Sequence, residues 1–280
     1  MHRAARDFEE ADALRDAIRA EGWDVVDRAD GFELHPLEAG APERIRADRV
    51  PSVLGEPATS DWTLQWLHEG WPEDVLRGMS SFDRHSGGRT LQHVVVEAVP
   101  APPGTWPGHA EVIRLLEDSG FGAARNAGLV RSRGHLVAIV DGSVEAAGDV
   151  LAPLETALED PSVGVTGPVG LVTEDLKEFR ESAGPEVDAI EGYLVALRRD
   201  LLQRVGFDRR FRFYRAADID LTFQIKGLGL RAVRTDAPVR RHVHRAWDSA
   251  SAADRERLSK RNMYTFLNRF RGRTDLLARG

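Results

Sequence analysis

The chain has 280 residues, 42% hydrophobic and 30% charged, with a net charge of −7; that suits one sizeable α/β domain plus a small appendage. The acidic balance excludes a global basic field for recruiting nucleic acid. With no cysteine there is no disulfide, thiolate zinc site or catalytic thiol, and no apolar stretch approaches the roughly 20 residues of a membrane span.

In chain order, the charged start MHRAARDFEEADALRD is unlike a secretory signal, so a cytoplasmic setting is expected. Phe8, Ala11, Leu14 and Ile18 recur at intervals of three and four, the pattern of an amphipathic helix over 4–21. WDVVD and FELH flank Asp30-Gly31 and read as a hairpin. Pro42, Pro51, Gly55 and Pro57 then mark a linker. The expected organisation is a helix-plus-hairpin appendage over 1–37, a linker over 38–60 and a main domain over 61–280.

Within the main domain, strands are expected at 62–67, 92–97, 111–116, 135–140, 163–167, 192–197, 230–233 and 239–244. Helices are expected from Pro72, with acids in the first turn, over 146–158, 199–205 and 217–227, and from Ala252 onward. Strands alternating with helices predict an α/β fold with a mixed sheet. The apolar run HLVAIV at 135–140 stops at Asp141-Gly142-Ser143, as a strand buried on both faces does. In an open α/β sheet ligands gather beyond the carboxyl ends of the strands, which is where Asp141 arrives. The preceding GFGAARNAG is small enough to let backbone approach a ligand or a neighbouring element. It is no dinucleotide fingerprint, because Arg125 occupies the third glycine position.

Several spaced motifs together resemble family 2 glycosyltransferases of the GT-A fold. GFGAARNAGLVRSRGHLVAIVDGS is similar to that family's loop, helix and strand ending in Asp-x-Asp. Val205-Gly206-Phe207-Asp208, then Ala217-Asp218-Ile219-Asp220-Leu221, resembles its Gly-Phe-Asp segment and Glu-Asp-x-Asp-Leu motif. His244 with Ser249, and Arg261-Asn262 in a closing helix, resembles its C-terminal pattern. The resemblance covers about residues 61–270 and implies a GT-A-like, mainly parallel sheet flanked by helices. It implies a hexosyltransferase that moves a sugar from a nucleotide-diphosphate donor to a hydroxyl, with inversion, in carbohydrate biosynthesis. The acceptor would be a glycan, a lipid-linked molecule or a small molecule, with no nucleic acid involved.

Such chemistry needs a cation against the leaving diphosphate. The resemblance assigns Mg²⁺ or Mn²⁺ to Asp141, makes His244 a further metal or phosphate contact, and gives the base that takes the acceptor proton to Asp218. Donor contacts are expected from Glu97, Arg125, Asn126, Asp141 and Ser143. There are departures. Ser143 replaces the second Asp, Ala217 the Glu, Gly70 a common Asn, and VEAVPAP is unlike Asp-Asn-x-Ser. A competing expectation is therefore a degenerate GT-A domain that binds a nucleotide-sugar, glycan or protein without turnover. A second oxygen ligand beside Asp141, from Glu97, Asp118 or His244, would favour the enzyme.

Each residue also has a structural reading. Asp141 suits a tight turn, and Asp218 suits a helix cap. Two helical residues at 218 and 220 point about 200° apart, so Asp220 reads as a buried hydrogen-bonding group. Arg125 meets phosphate or caps its loop. His242 and His244 share one face of a strand, as metal ligands or as polar surface. The closing helix is basic and amphipathic; it packs on its own domain or lies on the inner face of an anionic membrane. Finally, DFEEADALRDAIRAEGWDVVDRADGFEL resembles the small C-terminal element of cysteinyl-tRNA synthetases, which implies a docking cap; an RNA-linked adaptor role fits the acidic balance poorly.

Overall fold

The structure is a computed structural model that describes residues 14, 15, 17, 18, 21, 23–28, 31–36, 43–116 and 119–278. The chain divides into two compact units, Met1–Glu43 and Arg44–Gly280. In the first, β1 (Trp23–Arg28) pairs antiparallel with β2 (Gly31–Pro36), with Arg28 opposite Gly31. Positions 14, 15, 17 and 18 are helical, as the three-four spacing expects, while Phe8, Ala11 and Asp30 lie outside the described residues.

The second unit carries β3 (Ser60–His68), α1 (Pro72–Arg84), β4 (Leu91–Glu97), β5 (Ala110–Arg114), α2 (Phe121–Leu129), β6 (Gly134–Val140) and β7 (Val144–Ala146). Next come α3 (Leu151–Glu159), β8 (Val163–Gly167), β9 (Gly170–Val172), β10 (Arg180–Ser182), β11 (Glu186–Val187), β12 (Ala189–Ile190) and β13 (Leu194–Arg198). The chain closes with α4 (Ala217–Lys226), β14 (Arg231–Arg234), β15 (Val239–Arg241), α5 (Arg245–Ser249) and α6 (Ala252–Phe270).

Eight strands form the central sheet in the order β11-β14-β8-β13-β6-β3-β4-β5. β6, β3, β4 and β5 run parallel, and β14 is parallel to β8. β13 enters antiparallel between β6 and β8. The sheet is thus mixed and mainly parallel, with helices on both faces. The continuous apolar strands follow from that burial. Ala138 and Val140 join Trp62, Trp66, Val75 and Phe82 on one face, while Val137 and Ile139 join the core of α4 and α6 on the other.

The small residues of α2 serve close approach to protein. A Cβ at Gly122 would stand 2.3 Å from the Asp208 carbonyl, and one at Gly128 2.7 Å from the side chains of Gln65 and Val96. The helix therefore lies tight on β3 and β4 and brings Arg125 beneath their carboxyl ends.

Several boundaries differ from expectation for tertiary reasons. Residues 44–59, read as linker, belong to the large unit. Val53 is buried, Ile45 bridges to Leu115, and Arg44 reaches Glu97. The helix expected over 146–158 starts only at Leu151, because 144–146 are taken up as β7 against β15 and Ala146 N–H bonds Ser81 Oγ at 2.9 Å. The expected helix over 199–205 is a short 3-10 turn, Arg199–Gln203. α6 buries Phe266 and Phe270 against Phe223 of α4, with ring centroids 5.1 and 5.4 Å apart.

Candidate functional site

β6 delivers Asp141 one residue past its end, and the turn that follows is held from several directions. Asp141 N–H donates to the Tyr193 carbonyl at 3.0 Å, and Val144 N–H returns to the Asp141 carbonyl. Arg77 of α1, paired with Asp74 at 2.7 Å, donates to the Gly142 carbonyl. Within the turn, Asp141 Oδ1 accepts both the N–H and the hydroxyl of Ser143. Ser143, standing where a second carboxylate is expected, is buried and orients the first.

The other Asp141 oxygen faces His244 Nε2 at 3.2 Å. The strand expected to carry His242 and His244 ends at Arg241, because β7, its partner, is only three residues long. The two histidines separate: His242 turns to Glu145 at 2.7 Å, and His244 becomes the N-cap of α5. Arg245 ties that helix to Asp74 and Glu73 of α1, and the His244 ring stacks on Tyr214 at 4.3 Å. Burial disfavours charge on both members of the pair, yet each overcomes it for the other. The hydrogen bond and charge of His244, with the Ser143 donors, lower Asp141 to about 2, and Asp141 raises His244 above an ordinary imidazole.

Glu69, the residue after β3, reaches the same edge. The surrounding protein pushes its carboxyl upward, with Asp141 adding to the push and Arg125 and His244 opposing it. The residue is exposed by area, so the burial part of that push is smaller than for an enclosed carboxyl. Arg125 itself is buried: its Nη1 meets Gln65 Oε1 at 2.7 Å and the Val140 carbonyl at 3.2 Å. Burial lowers its pKa while Asp141 and Glu69 hold its charge, so it sits as a cation behind the site.

Across the site, Asp218 lies at the start of α4 after Ala216, whose left-handed φ of 63° is uncommon for a residue with a Cβ. Asp218 Oδ2 accepts Gly192 N–H at 2.6 Å and Oδ1 accepts Ile219 N–H at 2.9 Å; burial raises its pKa despite those donors. Asp220 turns the other way, to Gln224 at 2.7 Å and Arg269 at 3.0 Å. A cavity of about 640 Å³ lined by Gly206, Asp208, Gln224 and Arg269 opens on that side, away from Asp141. Beside Asp218, Glu191 is raised to about 7 by burial and by Asp218 and Glu181, against Arg241 and Arg215. Arg215 lies over the Trp247 ring at 5.5 Å and acts on Glu191, Tyr193, Tyr214 and Asp218 together.

Asp141 thus contacts both Ser143 and His244, and the charges of Asp141 and Asp218 both act on Tyr214. Glu97 lies apart: it is buried against Arg44, with Trp106 Nε1 donating to it at 2.9 Å. Asn126 clamps Phe207, accepting its N–H at 2.9 Å and donating to its carbonyl at 2.7 Å. Asp118 lies outside the described residues. Glu69, Glu191, Tyr193, Arg215 and Trp247 have no part in the expected site. The strand-end rule that found Asp141 also applies to Glu69, the residue after β3. Nothing in the sequence marks Glu191, because β13 had to be known as antiparallel before its start could be placed beside the end of β6.

Besides the His242–Glu145 pair, imidazole and carboxylate meet in two further clusters among the described residues. Asp141 and His244 suit a hard divalent cation that takes its remaining oxygens from a ligand and water. His244 Nδ1 accepts the Trp247 N–H at 3.2 Å, but that N–H also has the His244 carbonyl at 3.0 Å. The ring can therefore move its proton to Nδ1 and present Nε2 as a lone pair. Asp83, His93 and His109 also converge, with their ligand atoms within 4.8 Å. There the buried Trp66 Nε1–H donates to His93 Nδ1 at 3.0 Å, which fixes the proton on Nε2, facing Asp83 at 2.8 Å. His93 in that state offers no lone pair to a metal.

Residues 91–224, a little under half of the chain, match the family model described as glycosyl transferase family 2. The matched span includes Asp141, Glu191 and Asp218. No curated protein matches the chain. Among solved structures it is similar to GalNAc-T7 with UDP, GalNAc and Mn²⁺, at 14% identity and a TM-score of 0.58, over 75% of this chain and 48% of that one. It is also similar to the mannosyltransferase PcManGT from Pyrobaculum calidifontis in complex with GDP-Man and Mn²⁺, at 20% identity and a TM-score of 0.51, over 72% of this chain and 64% of that one. The chain therefore spans 48% and 64% of the length of these neighbours. It shares their GT-A fold.

Proposed function

We propose that the chain is a glycosyltransferase that moves a sugar from a nucleotide-diphosphate donor to a hydroxyl acceptor, with inversion and with the help of Mg²⁺ or Mn²⁺. The observation that carries this reading is the Asp141–His244 pair at the carboxyl end of β6, inside a sheet of the GT-A type. The family match over residues 91–224 and the nucleotide and Mn²⁺ held by both structural neighbours support it.

Asp141 and His244 would hold the cation, and when bound it would neutralise the charge growing on the leaving diphosphate. Asp141 stays ionised because His244 and Ser143 hold it so. Ser143 fixes which carboxylate oxygen is free, since both of its donors go to Oδ1. Arg125 contributes through its field from behind β6 without touching the ligand. Across the site, a carboxylate beside the start of α4 takes the proton of the acceptor hydroxyl. Asp218, the residue that the resemblance assigns, stands there with Glu191 next to it. Glu97 and Asn126 act through the protein: Glu97 anchors Arg44 and Trp106, and Asn126 holds the loop at Phe207.

The acceptor is a glycan, a small molecule or a lipid-linked hydroxyl. For the last, the exposed positions Arg257, Lys260, Arg261 and Tyr264 of α6 form the face that would meet an anionic membrane. No helix among the described residues is long and apolar enough to cross one. The test is thermal-shift screening with UDP-, GDP- and dTDP-sugars, with and without Mn²⁺, followed by release of the nucleoside diphosphate. Stabilisation by one nucleotide class only with Mn²⁺, together with turnover, supports the reading. Stabilisation without release at any pH would instead leave a binding module, and no stabilisation by any donor would remove the reading.

A further inference from the structure

Trp247 sits one turn beyond His244: its backbone N–H reaches the His244 carbonyl at 3.0 Å and the ring Nδ1 at 3.2 Å. Two guanidiniums share its indole, Arg215 at 5.5 Å and Arg255 at 5.2 Å from the ring. Arg215 belongs to the other half of the site. It follows Tyr214, whose ring stacks on His244 at 4.3 Å, and it precedes Asp218 by three residues. Its positive charge acts to lower the Asp218 carboxyl. The contact between Arg215 and Trp247 thus joins the His244 end of the site to the start of α4.

The loop that carries Arg215 is held from behind. Asn262 of α6 is buried, and its Nδ2 donates to the carbonyls of Phe213 at 2.6 Å and Arg215 at 2.8 Å. The next residue, Ala216, takes a left-handed φ of 63°, a conformation that persists in a residue with a Cβ only where the surroundings impose it. Arg215 is exposed and Arg255 half-buried, and among the described residues neither guanidinium donates a hydrogen bond or pairs with a carboxylate. Nearby arginines differ. Arg241 stands by Glu181 and Glu191, Arg245 pairs with Glu73 and Asp74, and Arg257 pairs with Asp254. A guanidinium over an aromatic ring keeps N–H donors at its edge, in a fork that fits a carboxylate or a phosphate.

We infer that the acceptor carries an oxyanion, a carboxylate or a phosphate, and that Arg215 and Arg255 receive it beside Trp247. This rests on the glycosyltransferase reading and names the class of acceptor within it. The donor diphosphate already has the cation proposed at Asp141 and His244. Two further unpaired positive charges, one of them three residues from the acid proposed to take the acceptor proton, match an anion on the acceptor itself. The indole restrains both guanidiniums before the acceptor arrives, so less side-chain freedom is lost on binding. Fixing the anion also fixes where the acceptor hydroxyl points.

The experiment is calorimetric titration of glucose, glucuronate and glucose 6-phosphate into the protein loaded with Mn²⁺ and whichever of UDP, GDP or dTDP binds it. At least one anionic probe should bind about 10 to 100-fold more tightly than glucose, and the tighter of the two distinguishes carboxylate from phosphate. Arg215→Gln and Arg255→Gln should each reduce that preference by about ten-fold or more, and Arg215→Lys should keep part of it. Nucleotide affinity in these variants should stay within about two-fold, which also shows that they are folded. Equal binding of all three probes, or an anion preference untouched by both Gln variants, would overturn the inference. So would a loss of nucleotide affinity in the Gln variants with the anion preference intact, which would place the two arginines on the donor. Absence of any Mn²⁺-dependent nucleotide binding by the unmodified protein would instead overturn the glycosyltransferase reading.

Discussion

Two rims of the same sheet each bring a carboxylate against an imidazole, buried at His93 and partly buried at His244, and they do different things with it. At the carboxyl ends of the strands Asp141 meets His244 at 3.2 Å; toward the amino ends Asp83 meets His93 at 2.8 Å. The distances would rank the second pair higher. What separates them is the far side of each ring. The N–H behind His244 belongs to the backbone of Trp247 and has another acceptor, whereas the N–H behind His93 is the indole of Trp66, with His93 as the acceptor in place. A histidine is available to a metal only if its other nitrogen can take up the proton. The first pair is therefore convertible, and the second is a hydrogen-bonded brace for the core.

That comparison sets the order of expected effects. Asp141→Asn should abolish the Mn²⁺ dependence of donor binding and lower turnover by about 10³-fold or more, since the charge that holds the cation is gone; steady-state assays across Mn²⁺ concentrations check this. His93→Leu should leave turnover of the surviving folded protein unchanged but cost about 2 kcal/mol of stability, because the Trp66 indole N–H is left buried without an acceptor; urea unfolding measures it. His244→Ala should weaken Mn²⁺ by about 10 to 100-fold while leaving the fold intact, as seen in the Mn²⁺ midpoint for turnover.

A smaller effect comes from Asp220, whose carboxyl is raised from 3.8 to about 6 by burial, against Arg269 and Gln224. The folded state then holds its proton more tightly than the unfolded chain does. Stability from this group is full below the unfolded value and declines as pH rises from about 4 to about 6. Asp220→Asn should flatten that decline and gain on the order of 1 kcal/mol at pH 7, read from melting temperatures across the pH range. Smallest of all, His109→Ala should change the Mn²⁺ midpoint by less than about two-fold. A larger change would mean that the amino-end cluster binds metal after all and that the tautomer argument is wrong.

The sequence carried most of the sheet because its strands are buried on both faces and so appear as unbroken apolar runs. The runs at 92–97 and 135–140 are the clearest, and the second placed Asp141 at the carboxyl edge of the sheet. The opposed directions of Asp218 and Asp220 were also legible, since helix geometry alone separates residues two apart. Strand direction was not. β13 looks like any other apolar run, yet its antiparallel entry is what puts Tyr193 beside Asp141. Partner choice was equally hidden. Glu97 has the right type and position for a donor contact, but nothing local announces that Arg44, 53 residues earlier, will claim it. Arg125 and Asn126 sit in the motif where ligand contacts are expected and are held by Gln65 and Phe207 instead. Residues 44–59 read as linker from their prolines and glycines, because composition reports backbone restriction and not what the backbone packs against.

The most direct test of the account is calorimetric titration of Mn²⁺ together with the stabilising nucleotide-sugar into the unmodified protein and into Asp141→Asn. The account predicts cation-dependent donor binding in the first and its complete loss in the second, with both proteins equally folded. Equal cation-dependent binding by the two would contradict it, because the one acid placed at the edge of the central strand would then have no part in holding the donor.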